Sequence, residues 1–161
     1  MTEAFLQLYV ENLERVYRYL AYRTGSRSDA EDLTQVTFER AFRGWDRFDP
    51  RKGSARTWLL AIARNSFLDF HRRRRSEDNV VTALKEETAE SQPGPGALGI
   101  DPDLAAALRS LSQRERSVLA LRFGGELDGG EIGQLLDLST ANVHQITSRA
   151  LAKLRQYLLG R

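Results

Sequence analysis

Residues 131–143 read EIGQLLDLSTANV, and this stretch is the most informative part of the sequence. Two short amphipathic segments flank the turn Asp137-Leu138-Ser139, and serine is a typical N-cap of a following helix. Gly133 is small enough for the two segments to cross closely, and Val143 can fill the angle between them. The pattern predicts a helix-turn-helix unit, with an ordinary helical hairpin as the simpler alternative.

The outer face of the second predicted helix favours nucleic-acid binding. Its side chains are hydroxyls, amides, an imidazole and cations, which can hydrogen-bond to base edges and phosphates, whereas a merely solvated helix favours Glu and Lys. The candidate DNA-binding residues on this helix are Thr140, Asn142, His144, Gln145, Ser148, Arg149 and Lys153.

Helical patterns precede this unit from residue 101 onwards. Asp101 followed by Pro102 predicts a helix start, because proline is well tolerated in the first helical turn. Ser112 with Glu115, and Asp128 with Glu131, have the spacing of capping boxes. Residues 101–161 are therefore predicted to form a small helical domain.

The apolar periodicity is lost between residues 76 and 100. Residues 91–96 read SQPGPG, and two prolines among glycines do not occur inside a packed helix. We therefore predict a linker over 76–100 that separates a domain at 1–75 from a domain at 101–161.

Residues 1–75 predict a second all-α domain. Apolar residues recur at helical spacing in the first segment, namely Phe5, Tyr9, Leu13, Val16, Tyr17 and Leu20, and Gly25 is expected to end that helix. Ser28 with Glu31 suggests a capping box for a second helix that runs to about Trp45. A third helix is expected from about Ser54 to Arg75. No stretch of the chain shows the alternation of a strand.

The third helix ends in a basic block, HRRRR at 71–75, and carries Trp58, Phe67 and Phe70. Aromatic surface beside cationic charge suits unpaired bases and their backbone. Taken singly, each aromatic residue is more often part of a core, and an arginine block is more often a solvated helix end.

Composition narrows the classes of function. The 161 residues contain no Cys, which excludes disulfides and thiolate metal sites, and the formal net charge is only +2. No apolar run approaches the roughly 20 residues needed to span a bilayer, and the N-terminus does not look like a signal peptide. We expect a cytoplasmic protein without membrane insertion.

Both halves resemble an extracytoplasmic-function sigma factor of the bacterial sigma-70 family. In the first half the resemblance rests on DAEDLTQVTF at 29–38 and on WLLAIARN at 58–65 with Asp69 and Arg72. In the second half it rests on LSQRER at 111–116, EIG at 131–133 and SRALAKLR at 148–155. The two motif sets occur in the family's order along the chain.

The resemblance implies a non-enzymatic transcription-initiation factor. It implies core RNA polymerase, promoter DNA and an anti-sigma factor as partners, with no cofactor, metal or small-molecule substrate. The residues implied to bind polymerase are Asp29, Asp32, Gln35, Phe38 and Glu39. Those implied for the minus-ten element are Ser54, Arg56, Thr57, Trp58, Asn65, Arg72, Arg73, Arg74 and Arg75, and the helix-turn-helix candidates above are implied for the minus-thirty-five element.

The recognition helix departs from the family pattern. Residues 142–146 read NVHQI where the family usually has a basic run, so promoter sequence cannot be copied from relatives. Asp137 stands where a glycine often closes the turn, and Asp tolerates the left-handed conformation better than most residues.

Two other interpretations stay open at the level of sequence. One is a stand-alone helix-turn-helix regulator, which leaves the first-half motifs without an explanation. The other is a nuclease or carboxylate metal protein that uses Asp29, Asp32 and Glu39, although these acids lack convergent partners.

Overall fold

The computed structural model describes residues 2–81 and 101–160, and every regular element in these ranges is helical, which confirms the all-α prediction. We call residues 2–81 the first half and residues 101–160 the second half. The first half contains α1 (Thr2–Thr24), α2 (Arg27–Gly44), a 3-10 turn (Trp45–Arg47) and α3 (Ala55–Val81). The second half contains α4 (Pro102–Arg109), α5 (Gln113–Leu119), a π-helical segment (Ala120–Gly124), α6 (Gly129–Leu136) and α7 (Thr140–Leu159).

Most of the predicted helix starts are confirmed. Asp101 caps α4, Ser139 caps α7, and the two capping boxes of the second half form as expected at the starts of α5 and α6. Each cap satisfies backbone amides that the first turn of a helix leaves unpaired, and is worth about 1 kcal/mol.

The predicted capping box at the start of α2 is wrong. The N-cap is Ser26, whose hydroxyl accepts a hydrogen bond from the Asp29 amide at 3.2 Å. Gly25 ends α1 in the left-handed conformation, at φ 66°, and the chain is then extended at Ser26. Because the helix begins before Ser28, Glu31 pairs instead with Arg27 at 2.9 Å.

Helix α3 is longer than predicted. It begins next to Ser54, as expected, and the Ser54 hydroxyl accepts a hydrogen bond from the Thr57 amide at 3.1 Å, but the helix continues to Val81. Residues 76–81, at the start of the predicted linker, are therefore helical, because SEDNVV contains no proline or glycine to end the helix. The rest of the predicted linker, including 91–96, lies outside the described residues.

Helix α1 is apolar on more than one side, and its buried residues agree with the prediction only in part. Val16 and Leu20 are buried as expected, whereas Tyr9 and Leu13 are exposed and Leu8 and Tyr19 are buried in their place. Two further large apolar side chains, Phe42 of α2 and Leu151 of α7, are also exposed.

The two halves pack against each other and share one apolar core. Val16, Tyr19 and Leu20 of α1 belong to the same buried cluster as Leu121, Leu127, Ile132 and Val143 of the second half. The π-helical segment lies directly on α1. We call this contact of α1 and α3 with residues 113–138 the seam. The predicted division at 1–75 and 101–161 therefore gives two units that touch in this structure.

Gly124 allows the closest approach across the seam. A Cβ atom at this position would lie 2.9 Å from the Tyr19 backbone nitrogen, a distance that real Cβ atoms do not reach. Since the obstacle is helix backbone, no side-chain movement relieves it. The seam therefore needs glycine at position 124.

The helix-turn-helix geometry is formed by α6, the turn and α7. Asp137 adopts the left-handed conformation at φ 59°, and the Leu138 amide donates to the Gly133 carbonyl at 2.8 Å. A Cβ atom on Gly133 would lie 2.4 Å from the Leu138 carbonyl oxygen, so this glycine is required by the turn itself more than by the helix crossing. Val143 is 1% exposed and fills the angle, as predicted.

The substitution Gly124→Ala should lower the free energy of unfolding of the full chain by about 1–3 kcal/mol, because the added methyl group pushes α1 away from the π-helical segment. Thermal and urea unfolding followed by circular dichroism measure this. Gly130→Ala is the matched control, because its Cβ atom would meet only Asp128 at 3.4 Å and alanine favours the helix. Equal stability of the two variants would contradict the close approach at the seam.

Candidate nucleic-acid interface

The loop between α2 and α3 carries a cluster of aromatic rings. Trp45 stacks on Phe48 with ring centroids 5.4 Å apart, and Trp58 in the first turn of α3 contacts both rings at 5.8 and 5.1 Å. Ser54 and Thr57 close the loop through their hydroxyls, 2.9 Å apart. We call residues 48–57 the minus-ten loop, after the role that the family resemblance assigns to it.

A cavity of about 500 Å³ opens beside Trp58. Its walls come from the minus-ten loop, from Trp58 and Ala61 of α3, and from Gln134 and Leu135 of α6. An aromatic wall next to hydroxyls and cations suits a stacked, unpaired base. In this structure, however, part of the wall belongs to the second half of the chain.

Acidic groups of the second half cover the polar side of the minus-ten loop. The Glu131 carboxylate accepts a hydrogen bond from the Thr57 hydroxyl at 3.0 Å and another from the Ser54 hydroxyl at 3.5 Å. The Arg56 guanidinium donates to the Glu126 backbone carbonyl at 3.3 Å. Three residues predicted to contact the minus-ten element are thus engaged by the chain's own second half.

Glu126 anchors this cover to α1. Its carboxylate accepts from Arg15 at 2.8 Å and lies 3.8 Å from Arg18. The hydrogen bond from Arg15 holds the pKa of the Glu126 carboxyl below its ordinary value. Glu126 also has φ 59°, a conformation that is costly for a residue with a side chain and that persists only where the surroundings hold it.

The basic end of α3 is partly paired within the first half. Arg72 binds Asp69, which also accepts from Arg40 at 3.3 Å, and Arg74 pairs with Asp29 at 3.3 Å. The remaining members of the predicted minus-ten set on this helix, Asn65, Arg73 and Arg75, are exposed.

The residues predicted to bind polymerase lie on α2 and are only partly at the surface. We call Asp29, Asp32, Gln35 and Glu39 the stripe. Asp32, Gln35 and Glu39 are exposed, and Gln35 donates to Glu39 at 3.5 Å. The Asp29 carboxylate forms an ion pair with Arg74. Phe38 is 6% exposed and packs edge-on against Tyr9. It therefore lies beneath the exposed side chains of the stripe and is not a surface contact in this conformation.

Beside the stripe lies an apolar groove that the sequence analysis missed. The groove encloses about 1000 Å³ between α1 and α2, and its lining includes Phe5, Tyr9, Val10, Leu13, Tyr17, Phe38 and Phe42 together with Gln35 and Glu39. The signal was present in the surplus of apolar residues on α1, which exceeds what one buried face requires.

The predicted recognition helix presents most of its candidates to solvent. Thr140, His144, Gln145, Ser148, Arg149 and Lys153 are exposed, and Asn142 is half-buried next to the cap. The Lys153 amine donates to the Glu115 carboxylate at 2.7 Å, and this hydrogen bond lowers the pKa of Glu115. Lys153 therefore ties α7 to α5, in addition to any contact with DNA.

None of the three proposed metal-binding acids is part of a cluster that could hold a metal ion, since the described residues contain no group of three or more His, Asp or Glu in such an arrangement. Within 2–81 and 101–160, no helix is both long and apolar enough to cross a membrane.

An aromatic and basic surface in one half and an exposed helix-turn-helix in the other characterise a two-part, all-helical chain. Residues 8–77 match the family Sigma-70 region 2, and residues 107–156 match Sigma-70, region 4. The chain therefore belongs to the sigma-70 family, in the group of extracytoplasmic-function sigma factors, as the sequence motifs predicted.

Individual relatives agree with this assignment. The chain is 37% identical over 158 residues to the ECF RNA polymerase sigma factor SigE of Mycolicibacterium smegmatis. The aligned region includes 94% of this chain and 60% of SigE, so the chain spans about three fifths of that relative's length. It is 30% identical over 154 residues to the RNA polymerase sigma factor YlaC of Bacillus subtilis, covering 92% and 88% of the two chains. Its fold matches sigma factor RpoE from Bartonella quintana, solved with the anti-sigma factor NepR, at TM-score 0.79 and 23% identity over 97% of both chains.

The double substitution Glu126→Gln with Glu131→Gln should loosen the cover over the minus-ten loop, because it removes both carboxylates. Glutamine at position 131 can still complete the capping box. The chain's two tryptophans, Trp45 and Trp58, both flank this loop, so quenching of their fluorescence by acrylamide should increase.

Lowering the pH should have the same effect on the unsubstituted chain. A carboxyl whose pKa is depressed in the closed arrangement stabilises that arrangement above the ordinary glutamate range and loses this effect as the pH falls. Glu115→Gln is the control, because Glu115 also completes a capping box. Its other carboxylate oxygen accepts a hydrogen bond from Lys153, away from the minus-ten loop. Equal quenching in all variants and at all pH values would show that the carboxylates do not hold the cover.

Proposed function

We propose that this chain is an alternative sigma factor, which binds core RNA polymerase and directs transcription initiation at specific promoters. The observation that carries this proposal is the presence, in family order, of a region 2 match and a region 4 match on the two halves that the structure describes. A stand-alone helix-turn-helix regulator does not account for the match over 8–77. We further propose that the chain acts in the cytoplasm and has no enzymatic activity of its own.

The site assignments follow from this proposal. The polymerase contact on α2 is formed by Asp32, Gln35 and Glu39 together with the apolar groove beside them. Asp29 contributes through its ion pair with Arg74, and Phe38 contributes by packing beneath these side chains. The minus-ten set lies on the minus-ten loop and α3, and the minus-thirty-five set on α7. Residues 1–75 and 101–161 are the corresponding functional units, with α3 extending into the segment between them.

Promoter binding by this mechanism requires the two halves to separate. The minus-ten and minus-thirty-five elements lie roughly two helical turns of DNA apart, or ~70 Å at ~34 Å per turn. In this structure, the Glu131 carboxylate accepts hydrogen bonds from Thr57 and Ser54. The Glu126 backbone carbonyl accepts one from Arg56. Polymerase and DNA bind the open arrangement, and their binding energy shifts the population towards it.

A protein inhibitor can act on this equilibrium between the closed and open arrangements. RpoE, which has a similar fold, was solved with the anti-sigma factor NepR. We propose that an anti-sigma factor also binds this chain, and that it uses the exposed apolar groove between α1 and α2.

Transcription in vitro tests the central proposal. The chain added to core RNA polymerase should produce promoter-specific transcripts, and a gel-shift assay should show promoter binding only when core enzyme is present. Tight promoter binding by the chain alone would instead favour the stand-alone regulator.

Reversing the charge of the stripe on α2, by Asp32→Arg with Glu39→Arg, should weaken core-enzyme binding by at least about tenfold, as loss of charged contacts typically does. Both side chains are exposed, so the helix content and melting temperature should change little. Glu3→Arg with Glu11→Arg is the control, because it applies the same charge change to exposed positions of α1. If both double variants bind core enzyme equally well in a pull-down, the stripe is only solvated surface.

The recognition helix should separate base contacts from phosphate contacts. Gln145→Ala should cost about 1–3 kcal/mol at one position of the minus-thirty-five element and relax the choice of base there, because glutamine can pair bidentately with adenine. Arg149→Ala should instead weaken all promoters alike and reduce the salt dependence by about one unit of slope. Arg149 is preferred to Lys153 here, since Lys153 also pairs with Glu115.

Transcription from a randomised minus-thirty-five library, sequenced after a single round, measures both effects. A uniform loss in Gln145→Ala, without any change of base preference, would show that this helix does not lie in the major groove as proposed.

A further inference from the structure

A second cavity at the seam is lined by arginines from both halves. It encloses about 200 Å³. Its lining residues are Arg23, Arg64 and Leu68 from the first half and Gln113, Arg114, Ser117, Leu136 and Leu138 from the second. No acidic residue is among the lining residues that the structure describes, so three cationic side chains share this cavity without a countercharge.

Arg23 is unusual because it is charged and only 6% exposed. Its guanidinium donates to the Tyr19 hydroxyl at 3.3 Å and to the Gln113 side-chain oxygen at 3.2 Å, and it lies 4.3 Å from the centroid of the Phe67 ring. All three partners are neutral groups. Its Nε–H group is buried and has no hydrogen-bond partner among the residues that the structure describes. Burial correspondingly lowers the pKa of Arg23.

Arg64 has the same deficiency on the neighbouring helix. Its Nε–H group is also buried without a hydrogen-bond partner. Buried donors and buried charges are normally paired, because water no longer solvates them. Two such donors around one cavity indicate that an acceptor with negative charge is missing from the protein's own side chains.

The surroundings add further positive charge. Arg116 is half-buried and donates only to the Leu108 carbonyl at 3.1 Å, and its pKa is lowered by burial and by Arg23. The pKa of His71 is lowered by burial and by Arg75, Arg23 and Arg116. None of Arg23, Arg64, Arg114 and Arg116 forms an ion pair with a carboxylate within the described ranges.

The size of the cavity restricts the ligand. A volume of about 200 Å³ corresponds to roughly seven water molecules at ~30 Å³ each. This accommodates a small oxyanion with some water, and it is below the range of about 300–1000 Å³ that is typical for larger ligands. Guanidinium groups bind tetrahedral oxyanions through several parallel N–H donors, and several cations together favour a dianion over a monoanion.

We propose that this cavity binds inorganic phosphate or an equivalent small tetrahedral oxyanion, held between Arg23 and Arg64 of the first half and Arg114 of the second. Because the ligand contacts both halves, it binds the closed arrangement and stabilises it by mass action. This inference concerns the chain alone and does not depend on its binding to polymerase or DNA.

Isothermal titration of the full chain with inorganic phosphate, at constant ionic strength set with sodium chloride, tests the proposal. Phosphate should bind at one site per chain and should raise the melting temperature, whereas the same concentration of acetate should have a much smaller effect. Adenosine monophosphate should bind more weakly than phosphate, because the cavity is too small for a nucleoside. Absence of saturable phosphate binding, or equal effects of phosphate and acetate, would overturn the proposal.

Arg114→Gln and Arg64→Gln should each weaken phosphate binding by about ten- to a hundredfold, as loss of a hydrogen bond between charged groups typically does. Arg114 is exposed, so its substitution tests the site even if changes at the more buried Arg23 or Arg64 impair folding. Arg155→Gln is the control, because it removes the same charge from an exposed position of α7 that does not line the cavity. Equal affinity in Arg114→Gln and Arg155→Gln would place any bound phosphate elsewhere.

A second readout distinguishes the seam from a surface site. Saturating phosphate should decrease the acrylamide quenching of Trp45 and Trp58, since a more closed seam keeps α6 against the minus-ten loop. The decrease should be absent in Arg114→Gln and present in Arg155→Gln. Phosphate binding with no change in quenching in the unsubstituted chain would contradict the stabilisation of the closed arrangement.

Discussion

Helix α1 is buried on two sides at once, and the arrangement of the whole chain depends on this. Tyr19 and Leu20 belong to an apolar cluster that includes residues of α2 and α3 as well as Leu121 and Leu127 of the second half. Separation of the halves would expose this apolar surface to water, which opposes opening. The approach is close because Gly124 lies against the Tyr19 backbone, where any side chain would collide.

The apolar contact places polar groups of the second half on the surface of the first half that is proposed to bind DNA. Glu131 reaches Thr57 and Ser54, and Glu126 reaches Arg15 and Arg56. The Glu131 carboxylate and the Glu126 backbone carbonyl thus engage the hydroxyls and the guanidinium that are proposed to bind bases and phosphates, so under that proposal closure and minus-ten binding exclude each other. The recognition helix α7 faces solvent at the same time, which means that closure covers only one of the two proposed DNA-binding surfaces.

Charge is distributed unevenly along the seam. Near the minus-ten loop, Arg56 donates to the Glu126 backbone carbonyl, and Arg15 of α1 pairs with the Glu126 carboxylate. At the other end, Arg23 is buried beside neutral groups, and the Nε–H groups of Arg23 and Arg64 have no hydrogen-bond partner among the described residues. A seam with this imbalance is sensitive to small anions at one end and to pH at the other, and both act on the same equilibrium between closed and open arrangements.

The sequence by itself determined the helices, most of their caps, the helix-turn-helix and the family, because these depend on contacts between residues no more than four positions apart or on motifs read directly from the chain. Ser112 with Glu115 and Asp128 with Glu131 are such local pairs. Local patterns did not determine which apolar side chains of α1 are buried, since the buried and the exposed ones both recur at helical spacing. Nor did they show that Glu131, having capped α6 with one oxygen, uses the other to bind Thr57, which is 74 residues away. Only the tertiary structure decided these features, because the packing of the two halves brings together residues that no sequence spacing relates.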